Sequence, residues 1–332
     1  MAALSLNNGQ HIPTVGLGTW QAPLDEVVAT VKFAIDAGYR HIDTALVYGT
    51  EPGVGQAVRE KVQEGAVHRE DIFITTKLWN THHSVEDVVP ACKTSLENLG
   101  LEYIDLYLVH WPFGFKTKEP LRVPQQFDSF DQTSIEDTWR QMEKCVELGL
   151  VKSIGLSNFN KAQIQRVLDI ATVKPVVNQI ECHMMLNQKP LIEFCKSVDI
   201  VVEAYSPFGS PSRPNAPSDA TNIFQDGRLL QIAAKYSKTS AQIILRYLIQ
   251  LGVVVLPKSV TPERIKQNLQ VFDFQLSSED MSVLASLDCG MRLFTYLVAK
   301  DHPDYPFVGE SVENMKFDSD PCSAGLLDTI KK

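Results

Sequence analysis

The amino-acid sequence predicts an α/β fold, a (β/α)8 TIM barrel formed by all 332 residues as one domain. Eight short runs of β-branched and apolar residues alternate with segments of helical periodicity, which is the pattern of a parallel barrel. Several runs are almost continuously apolar, as expected of strands that are buried on both faces. No sequence repeat of fixed period is present, which disfavours a solenoid.

The apolar runs predict strands at residues 15–17, 41–43, 72–77, 104–109, 151–155, 176–179, 201–204 and 253–256. Apolar residues recur at helical spacing in residues 24–37, 85–99 and 135–148. Each of these segments is followed by a residue that commonly ends a helix, namely Gly38, Gly100 or Gly149. We interpret Gly53-Val54-Gly55 as the turn that opens the second helix.

Four segments extend a minimal barrel. Residues 1–13 predict an N-terminal hairpin, because Asn8-Gly9 suits a type I′ turn. Residues 111–133 and 206–225 are long loops after predicted strands, and residues 289–332 form a C-terminal loop and tail. Long loops of this kind are usually functional or disordered, and barrel active sites lie at the C-terminal ends of the strands.

Composition excludes several classes of partner. The formal net charge is -9 and no long basic run occurs, so we expect no nucleic-acid partner. No apolar run approaches the roughly 20 residues that cross a bilayer, and residues 1–10 lack the features of a signal peptide. The six cysteines form no C-x-x-C pair, which favours reduced thiols in a cytoplasmic protein.

Three successive predicted strands deliver ionisable side chains to one rim of the barrel. The second strand ends at Asp43, with Tyr48 just after it, the third ends at Lys77 and the fourth at His110. Each residue alone is compatible with a buried ion pair or a structural histidine. Their convergence at the C-terminal ends of the strands favours a catalytic site.

These four groups suit proton donation to an oxygen. A free tyrosine has a pKa near 10, and a neighbouring ammonium favours the phenolate, so Lys77 is expected to lower the pKa of Tyr48. Asp43 would hold Lys77 in place, and His110 would hydrogen-bond a carbonyl oxygen. Tyr48 is therefore a candidate general acid for carbonyl reduction, and the hydride must come from a cofactor.

A phosphate site is predicted after the eighth strand, because no G-x-G-x-x-G follows the first. Thr261 and Pro262 suit the N-cap and first position of a helix. The N-terminus of a helix binds phosphate through its free N–H groups. Lys258 and Arg264 add positive charge, and Asn268 lies on the same helix face as Arg264.

Along nearly its whole length the chain resembles the aldo-keto reductases. The matching residues are Gly16-Leu17-Gly18-Thr19, His41-Ile42-Asp43-Thr44-Ala45, Tyr48, Gly155-Leu156-Ser157-Asn158-Phe159, Gln179, Tyr205-Ser206-Pro207 and the segment 258–268. The resemblance implies that Asp43, Tyr48, Lys77 and His110 form a catalytic tetrad with Tyr48 as general acid. It also implies a monomer that uses NADPH or NADP.

The resemblance further implies a set of binding residues. Ser157, Asn158 and Gln179 would contact the nicotinamide carboxamide and Tyr205 would stack on the ring, while Lys258, Ser259, Arg264 and Asn268 would hold the 2′-phosphate. The complete set expected at the cofactor is Thr19, Trp20, Asp43, Ser157, Asn158, Gln179, Tyr205, Ser206, Pro207, Phe208, Gly209, Ser210, Lys258, Ser259, Val260, Arg264, Gln267 and Asn268. The expected substrate pocket contains Trp20, Val47, Tyr48, Trp79, His110 and Trp111, and no metal site is expected.

His110 places the resemblance in the aldose/aldehyde reductase branch, since double-bond reductases of the bile-acid type carry glutamate at this position. Two residues depart from mammalian aldose reductase: Ser212 replaces an aspartate that helps to clasp the cofactor, and Asn215 replaces a tryptophan of the pocket wall. Neither function is implied here. A non-catalytic NADPH-binding subunit, like the potassium-channel β subunits of the same fold, is the alternative. The sequence leaves sugars, lipid aldehydes, steroids and ecdysteroid-like ketones open as substrates.

Overall fold

The computed structural model describes residues 2–116, 130–211, 213 and 221–310. Eight parallel strands form the barrel in sequence order, and two further strands form a separate antiparallel sheet. The antiparallel strands are β1 (Ala3–Ser5) and β2 (His11–Pro13). The barrel strands are β3 (Leu17–Gly18), β4 (His41–Asp43), β5 (Phe73–Leu78), β6 (Leu106–Val109), β7 (Ile154–Ser157), β8 (Val177–Glu181), β9 (Val201–Tyr205) and β10 (Val254–Leu256).

The first and last barrel strands meet and close the sheet. The amide of Gly16 donates to the carbonyl of Val255 at 2.9 Å, and that of Gly18 donates to the carbonyl of Pro257 at 3.1 Å. The backbone at Gly16, just before β3, must approach β4 closely, because a Cβ on Gly16 would lie 2.7 Å from Nδ1 of His41. The predicted TIM barrel is therefore confirmed.

Helices surround the barrel. They are α1 (Val27–Ala37), α2 (Glu51–Gln63), α3 (Val88–Leu99), α4 (Ile135–Glu147), α5 (Lys161–Ile170), α6 (Lys189–Ser197), α7 (Gly227–Tyr236), α8 (Ser240–Gln250), α9 (Pro262–Leu269) and α10 (Ser278–Ala285). Their buried faces pack on the outside of the barrel strands in one continuous apolar cluster. None of the helices in the described ranges is long and apolar enough to cross a membrane.

The N-terminal hairpin is present, but its predicted turn type is wrong. A type I′ turn needs positive φ at both central residues, and only Gly9, with φ of 83°, has one. The amide of Gly9 donates to the carbonyl of Leu6, and Leu6 pairs with Gln10 across a three-residue loop. Ile12 and Leu6 cover the N-terminal end of the barrel, where they are buried with residues of its strands.

Six of the eight predicted strands begin one to three residues too early, and five end one or two residues too early. The strand predicted at residues 151–155 reaches Ser157 in the structure, and the strand predicted at residues 176–179 reaches Glu181. The polar residues at these C-terminal ends are buried strand residues. The apolar pattern does not detect these residues because they are polar, although they are buried.

Two helices begin three residues later than predicted. Leu24 and Val85, at which the apolar pattern starts, are 47% exposed and lie in turns. The predicted ends are close to those observed, with Gly38 and Gly100 at left-handed positions after α1 and α3. In both helices the apolar pattern therefore begins with an exposed residue that does not belong to the buried core.

The interpretation of Gly53-Val54-Gly55 as a turn is wrong, because all three residues lie inside α2. A Cβ on Gly55 would lie 1.8 Å from the carbonyl oxygen of Leu99. Gly55 therefore allows α2 to pack closely on the end of α3, which is a contact between segments distant in sequence.

Aromatic side chains cover the C-terminal end of the barrel. Trp111 packs on Tyr296 with ring centroids 4.6 Å apart, and Phe115 packs on Phe130 at 5.6 Å. The C-terminal segment is tied to the barrel by Glu181, whose carboxylate accepts hydrogen bonds from the amides of Leu293 and Phe294. The loops at 111–133 and 206–225 and the tail from 289 thus begin or end at this rim.

Candidate active site

Asp43 and Lys77 form a buried ion pair at the ends of β4 and β5. Nζ of Lys77 donates to the two carboxylate oxygens of Asp43 at 2.8 and 2.7 Å and to the carbonyl of Thr44 at 2.9 Å. The Lys77 side chain is fully buried and that of Asp43 is 6% exposed. All three hydrogens of the ammonium therefore have acceptors, which compensates much of its desolvation.

Tyr48 lies above this pair on a short 3-10 helix after β4. Nζ of Lys77 is 5.0 Å from the centroid of the Tyr48 ring. His110, directly after β6, meets the same ring edge to face at 5.7 Å. The structure thus brings Asp43, Tyr48, Lys77 and His110 together, although two of them lie on strands, one follows a third strand and one lies on a 3-10 helix.

His110 is held as a neutral imidazole. Burial lowers its pKa well below the ordinary value, and the positive charge of Lys77 lowers it further. Nδ1 of the ring is buried without a hydrogen-bond partner in the described residues, and the ring of Trp79 packs against it at 5.2 Å. A neutral imidazole donates one hydrogen bond and accepts another, which suits contact with a carbonyl oxygen.

One cavity of about 760 Å3 is lined by Asp43, Tyr48 and His110, with Lys77 buried behind them, and extends along the rim to the start of α9. Most residues expected at the cofactor line it, namely Trp20, Asp43, Asn158, Gln179, Tyr205, Ser206, Pro207, Phe208, Ser210, Lys258, Ser259, Val260, Arg264, Gln267 and Asn268. All six residues expected at the substrate, Trp20, Val47, Tyr48, Trp79, His110 and Trp111, line it as well.

Three expected cofactor residues do not line the cavity. Oγ1 of Thr19 donates to the carbonyl of Asp43 at 2.9 Å, and Oγ of Ser157 accepts from Nδ2 of Asn158 at 3.1 Å. Gly209 packs against Met185, and its φ is +67°. In this structure Thr19 and Ser157 position residues that do line the cavity.

A chain of hydrogen bonds fixes the polar residues beside the tetrad. Nδ2 of Asn158 donates to the carbonyl of His110 at 2.9 Å, and Oη of Tyr205 donates to Oδ1 of Asn158 at 2.8 Å. Asn158 and Ser206 adopt left-handed backbone conformations with φ of 63° and 51°. Such conformations are uncommon for residues other than glycine and concentrate at functional sites.

The far end of the cavity lies at the N-terminus of α9. Thr261 occupies the predicted N-cap position, but its side chain makes no capping hydrogen bond. Oγ of Ser259 instead accepts from the amide of Thr261 at 3.1 Å. The first amides inside the helix are therefore not capped by the Thr261 side chain, and Lys258 and Arg264 lie beside them, which is a favourable arrangement for an anion.

Sequence reasoning missed several residues that line the cavity. Thr239, Ser240 and Ala241 approach it from the start of α8, where no sequence motif singles them out. Arg213 is a buried cation on the loop after β9 and donates to the carbonyl of Ser210 at 3.3 Å. Phe294 lies in the C-terminal segment at residues 289–332, for which the sequence predicts a loop and tail but no site residue.

Phe294 forms part of the pocket wall. Its ring packs edge to face on Trp20 at 5.5 Å and on Tyr205 at 5.7 Å. The two departures from mammalian aldose reductase, Ser212 and Asn215, lie outside the described residues. Within the described ranges no three His, Cys, Asp or Glu side chains are grouped as metal ligands, and the five described cysteines are free thiols.

A barrel whose strand ends hold a buried Lys–Asp pair, a tyrosine and a histidine beside a long cavity is the architecture of an oxidoreductase of the carbonyl-reducing class. Comparison with known proteins agrees with this class, because residues 14–288 match the Aldo/keto reductase family. The chain therefore belongs to the aldo-keto reductase family.

The similar proteins include two members of aldo-keto reductase family 1 and an aldose reductase of known structure. Aldo-keto reductase family 1 member A1-A of Danio rerio is 48% identical over 319 residues, which cover 92% of this chain and 98% of the relative. Aldo-keto reductase family 1 member A1 of Homo sapiens is 44% identical over 315 residues, 91% of this chain and 97% of the relative. The structure of the aldose reductase from Schistosoma japonicum superposes with a TM-score of 0.86 at 46% identity, covering 94% of this chain and all of that one.

Proposed function

We propose that this protein reduces aldehydes and ketones to alcohols with NADPH, with Tyr48 as the general acid. The observation that carries the proposal is the placement of the buried Lys77 ammonium between the Asp43 carboxylate and the Tyr48 ring, behind a cavity that is lined by Asp43, Tyr48 and His110 and extends to the N-terminus of α9. Family membership supports carbonyl reduction in general.

The side chains at the site have separate roles in the proposed reaction. His110 and Tyr48 hold the carbonyl oxygen of the substrate, and Oη of Tyr48 donates its proton to that oxygen as negative charge develops on it. The Lys77 ammonium stabilises the phenolate that is left, and Asp43 keeps the ammonium charged and in place. Bound NADPH supplies the hydride. The aromatic walls exclude water from the reacting centre.

The residues in the cavity fit a dinucleotide with a 2′-phosphate. Asn158, Gln179 and Tyr205 offer amide and aromatic groups at the tetrad end, while Lys258 and Arg264 offer cations at the α9 end. One continuous cavity joins the two ends. This arrangement suits a ligand that is neutral at one end and anionic at the other.

Tyr48→Phe is the direct test of the chemistry. We expect this variant to bind NADPH normally and to lose at least about 10²-fold in kcat with an aldehyde such as 4-nitrobenzaldehyde, at the lower end of general-acid contributions. Near-normal turnover would show that another group supplies the proton. An absence of turnover in the wild type, with NADPH binding intact, would instead favour the non-catalytic NADPH-binding subunit.

Arg264→Met tests the choice of cofactor. Loss of a charged contact to phosphate should weaken NADPH binding by about tenfold or more and leave NADH binding almost unchanged. Lys266→Met is the matched control, because Lys266 lies on the same helix and packs on Phe33, away from the cavity. Equal loss of NADPH and NADH affinity in Arg264→Met would contradict the assignment.

The apolar wall indicates the preferred substrates. Trp20, Val47, Trp79, Trp111 and Phe294 line the tetrad end of the cavity, and burial of apolar surface contributes about 25 cal/mol per Å2. We therefore propose that aromatic and long-chain carbonyl compounds have lower KM values than glucose or glyceraldehyde. Higher kcat/KM values for the sugars would overturn this preference.

We further propose that the protein works as a cytoplasmic monomer formed by one barrel domain. The reduced cysteines and the family resemblance support this proposal. Light scattering of the purified protein, coupled to size-exclusion chromatography, should give the mass of one chain, 37.1 kDa.

A further inference from the structure

Glu203 is a fully buried acid in the middle of β9, beneath the tetrad. Its nearest polar neighbour is Gln179, which is its register partner on β8. Nε2 of Gln179 donates to Oε2 of Glu203 at 3.0 Å and to Oδ2 of Asp43 at 2.9 Å. One amide nitrogen therefore bridges two carboxyl groups on different strands.

This bridge determines what Gln179 offers to a ligand. A primary amide nitrogen carries two hydrogens, and in Gln179 each is directed to a carboxyl oxygen. The side chain lines the cavity and has only its oxygen Oε1 left as a hydrogen-bonding group. A ligand atom that meets Gln179 must therefore be a donor, as the amino group of a carboxamide is.

We propose that Glu203 is a positioning residue of the site, which holds the Gln179 amide with its oxygen available to the carboxamide of the nicotinamide ring. The inference rests on the proposed use of NADPH and adds a residue that touches neither cofactor nor substrate. Asp43 alone would accept only one of the two N–H groups, and the second would be unpaired in the barrel interior.

The environment of Glu203 also defines its protonation state. Oε1 of Glu203 has no hydrogen-bond partner in the described structure and lies 3.4 Å from Nε2 of His41. Nδ1 of His41 meets the carbonyl of Pro13 at 3.3 Å. A carbonyl only accepts, so the proton of a neutral His41 is on Nδ1, and Nε2 is an acceptor that faces both Glu203 and Oγ1 of Thr75.

A proton on Oε1 of Glu203 completes this arrangement. Burial, together with the charge of Asp43, raises the pKa of Glu203 to about 8, and burial lowers the pKa of His41 to about 3. The ionisable groups around Glu203 are His41 and Asp43 on β4 and Lys77 on β5, while its register partner on β10 is the apolar Val254. Glu203 is therefore neutral at neutral pH.

Two variants and a control test the positioning role. Glu203→Leu removes the acceptor, and Glu203→Gln replaces the neutral acid with a neutral group that also accepts from Gln179 and donates to His41. Val254→Ala is the control, a buried apolar substitution on the neighbouring strand that removes no hydrogen bond to Gln179. The Kd of NADPH is measured by fluorescence titration, and that of 2′,5′-ADP, which lacks the nicotinamide, by competition.

We expect Glu203→Leu to weaken NADPH binding by about three- to tenfold, the range for one lost hydrogen bond. Its Kd for 2′,5′-ADP should stay within about twofold of the wild type. Glu203→Gln and Val254→Ala should bind both ligands within about twofold of the wild type at pH 7. A parallel loss for both ligands in Glu203→Leu, or no loss for either, would overturn the positioning role.

The pH dependence gives a readout that a structural role would not change. Ionisation of Glu203 above about pH 8 adds a negative charge beneath the nicotinamide, and the oxidised ring is positively charged. Between pH 7 and 9.5 the affinity for NADP+ relative to NADPH should therefore rise by at least about twofold more in the wild type than in Glu203→Gln. Identical pH profiles for the two proteins would overturn the assignment, and this result does not depend on Glu203→Leu being folded.

The two proposals fail in different ways. If the wild type binds NADPH without reducing any carbonyl compound, the proposed function fails and these binding measurements still decide the role of Glu203. If Tyr48→Phe loses turnover as expected and Glu203→Leu binds NADPH normally, the proposed function stands and the positioning role is refuted.

Discussion

Replacing Glu203 with glutamine should stabilise the fold, by an amount that grows with pH. The pKa of Glu203 is raised in the folded protein from its ordinary value of 4.5 to about 8. Below pH 4.5 the acid is neutral in both the folded and the unfolded chain. Between pH 4.5 and 8 the unfolded chain releases a proton that the folded protein retains, so Glu203 lowers the free energy of unfolding progressively as the pH rises.

The size of the effect follows from the width of this pH window. Each pKa unit corresponds to about 1.4 kcal/mol, so a window of this width gives on the order of 5 kcal/mol as the full difference above pH 8. Relaxation of the barrel interior reduces the value, and about 2–5 kcal/mol is the expected range. Glutamine has no such dependence because it does not ionise.

Urea unfolding of both proteins at pH 5, 6.5, 8 and 9.5 measures the difference directly. The free energy of unfolding of Glu203→Gln minus that of the wild type should rise up to pH 8 and then become constant. Glu60→Gln serves as a surface control, because the hydrogen bond from Lys32 lowers the pKa of Glu60, so the stability difference for this variant should not change between pH 5 and 9.5. A pH-independent difference for Glu203→Gln would show that Glu203 is ionised in the folded protein and would refute the reasoning.

Three further substitutions test other parts of the structure. Lys77→Met should lower kcat and destabilise the fold by about 3–5 kcal/mol, because it leaves the carboxylate of Asp43 buried without a cation; chemical denaturation and turnover measure the two effects. Gly55→Ala should lower the melting temperature strongly, since α2 and α3 must separate, whereas Gly227→Ala, with nothing within 4 Å of the new Cβ, should not. Phe294→Ala should raise the KM of bulky ketones by about threefold or more, because it removes apolar wall surface that they bury, and an unchanged KM ratio of bulky to small substrates would contradict this.

The sequence predicts the barrel because its strongest signal is local. Eight apolar runs and the helical segments between them follow from the burial of each strand on both faces, and this pattern needs no knowledge of distant contacts. The predicted strand ends differ from the observed ends for a physical reason. At Ser157 and Glu181 the strand continues with polar residues, because their partners lie inside the molecule at the rim of the barrel.

Other features depend on contacts that no local pattern contains. Gly55 is a helix residue because α2 meets the backbone of Leu99, although a glycine pair in isolation suggests a turn. The loop of the hairpin has three residues because Leu6 pairs with Gln10, whereas Asn8-Gly9 alone suggests a two-residue turn. In both cases tertiary packing outweighs the intrinsic preference of the residues.

The grouping of these four residues was predictable because Asp43 and Lys77 lie at strand ends, His110 directly follows a strand and Tyr48 lies on the short helix after β4, and strand ends converge in a parallel barrel. Glu203 was missed because it lies one layer deeper, as a single acid between the apolar residues Val202 and Ala204. The role of Glu203 becomes apparent only from the strand register, which places it beside Gln179. Sequence motifs therefore identified the residues that face the cavity, but not the residue that holds one of them.

Charge balance explains why this deeper layer is stable. Among the described residues, the layer around Gln179 contains the carboxyl groups of Asp43 and Glu203 and the ammonium of Lys77. Since His41 is kept neutral by burial, the second carboxyl group has no positive partner and is neutralised by a proton. This layer is then neutral, with one ion pair available to act on Tyr48 and one protonated acid to hold Gln179. A second fixed cation would stabilise Glu203 as a carboxylate, but it would also compete with Lys77 for Asp43 and weaken the pair on which the proposed proton transfer depends.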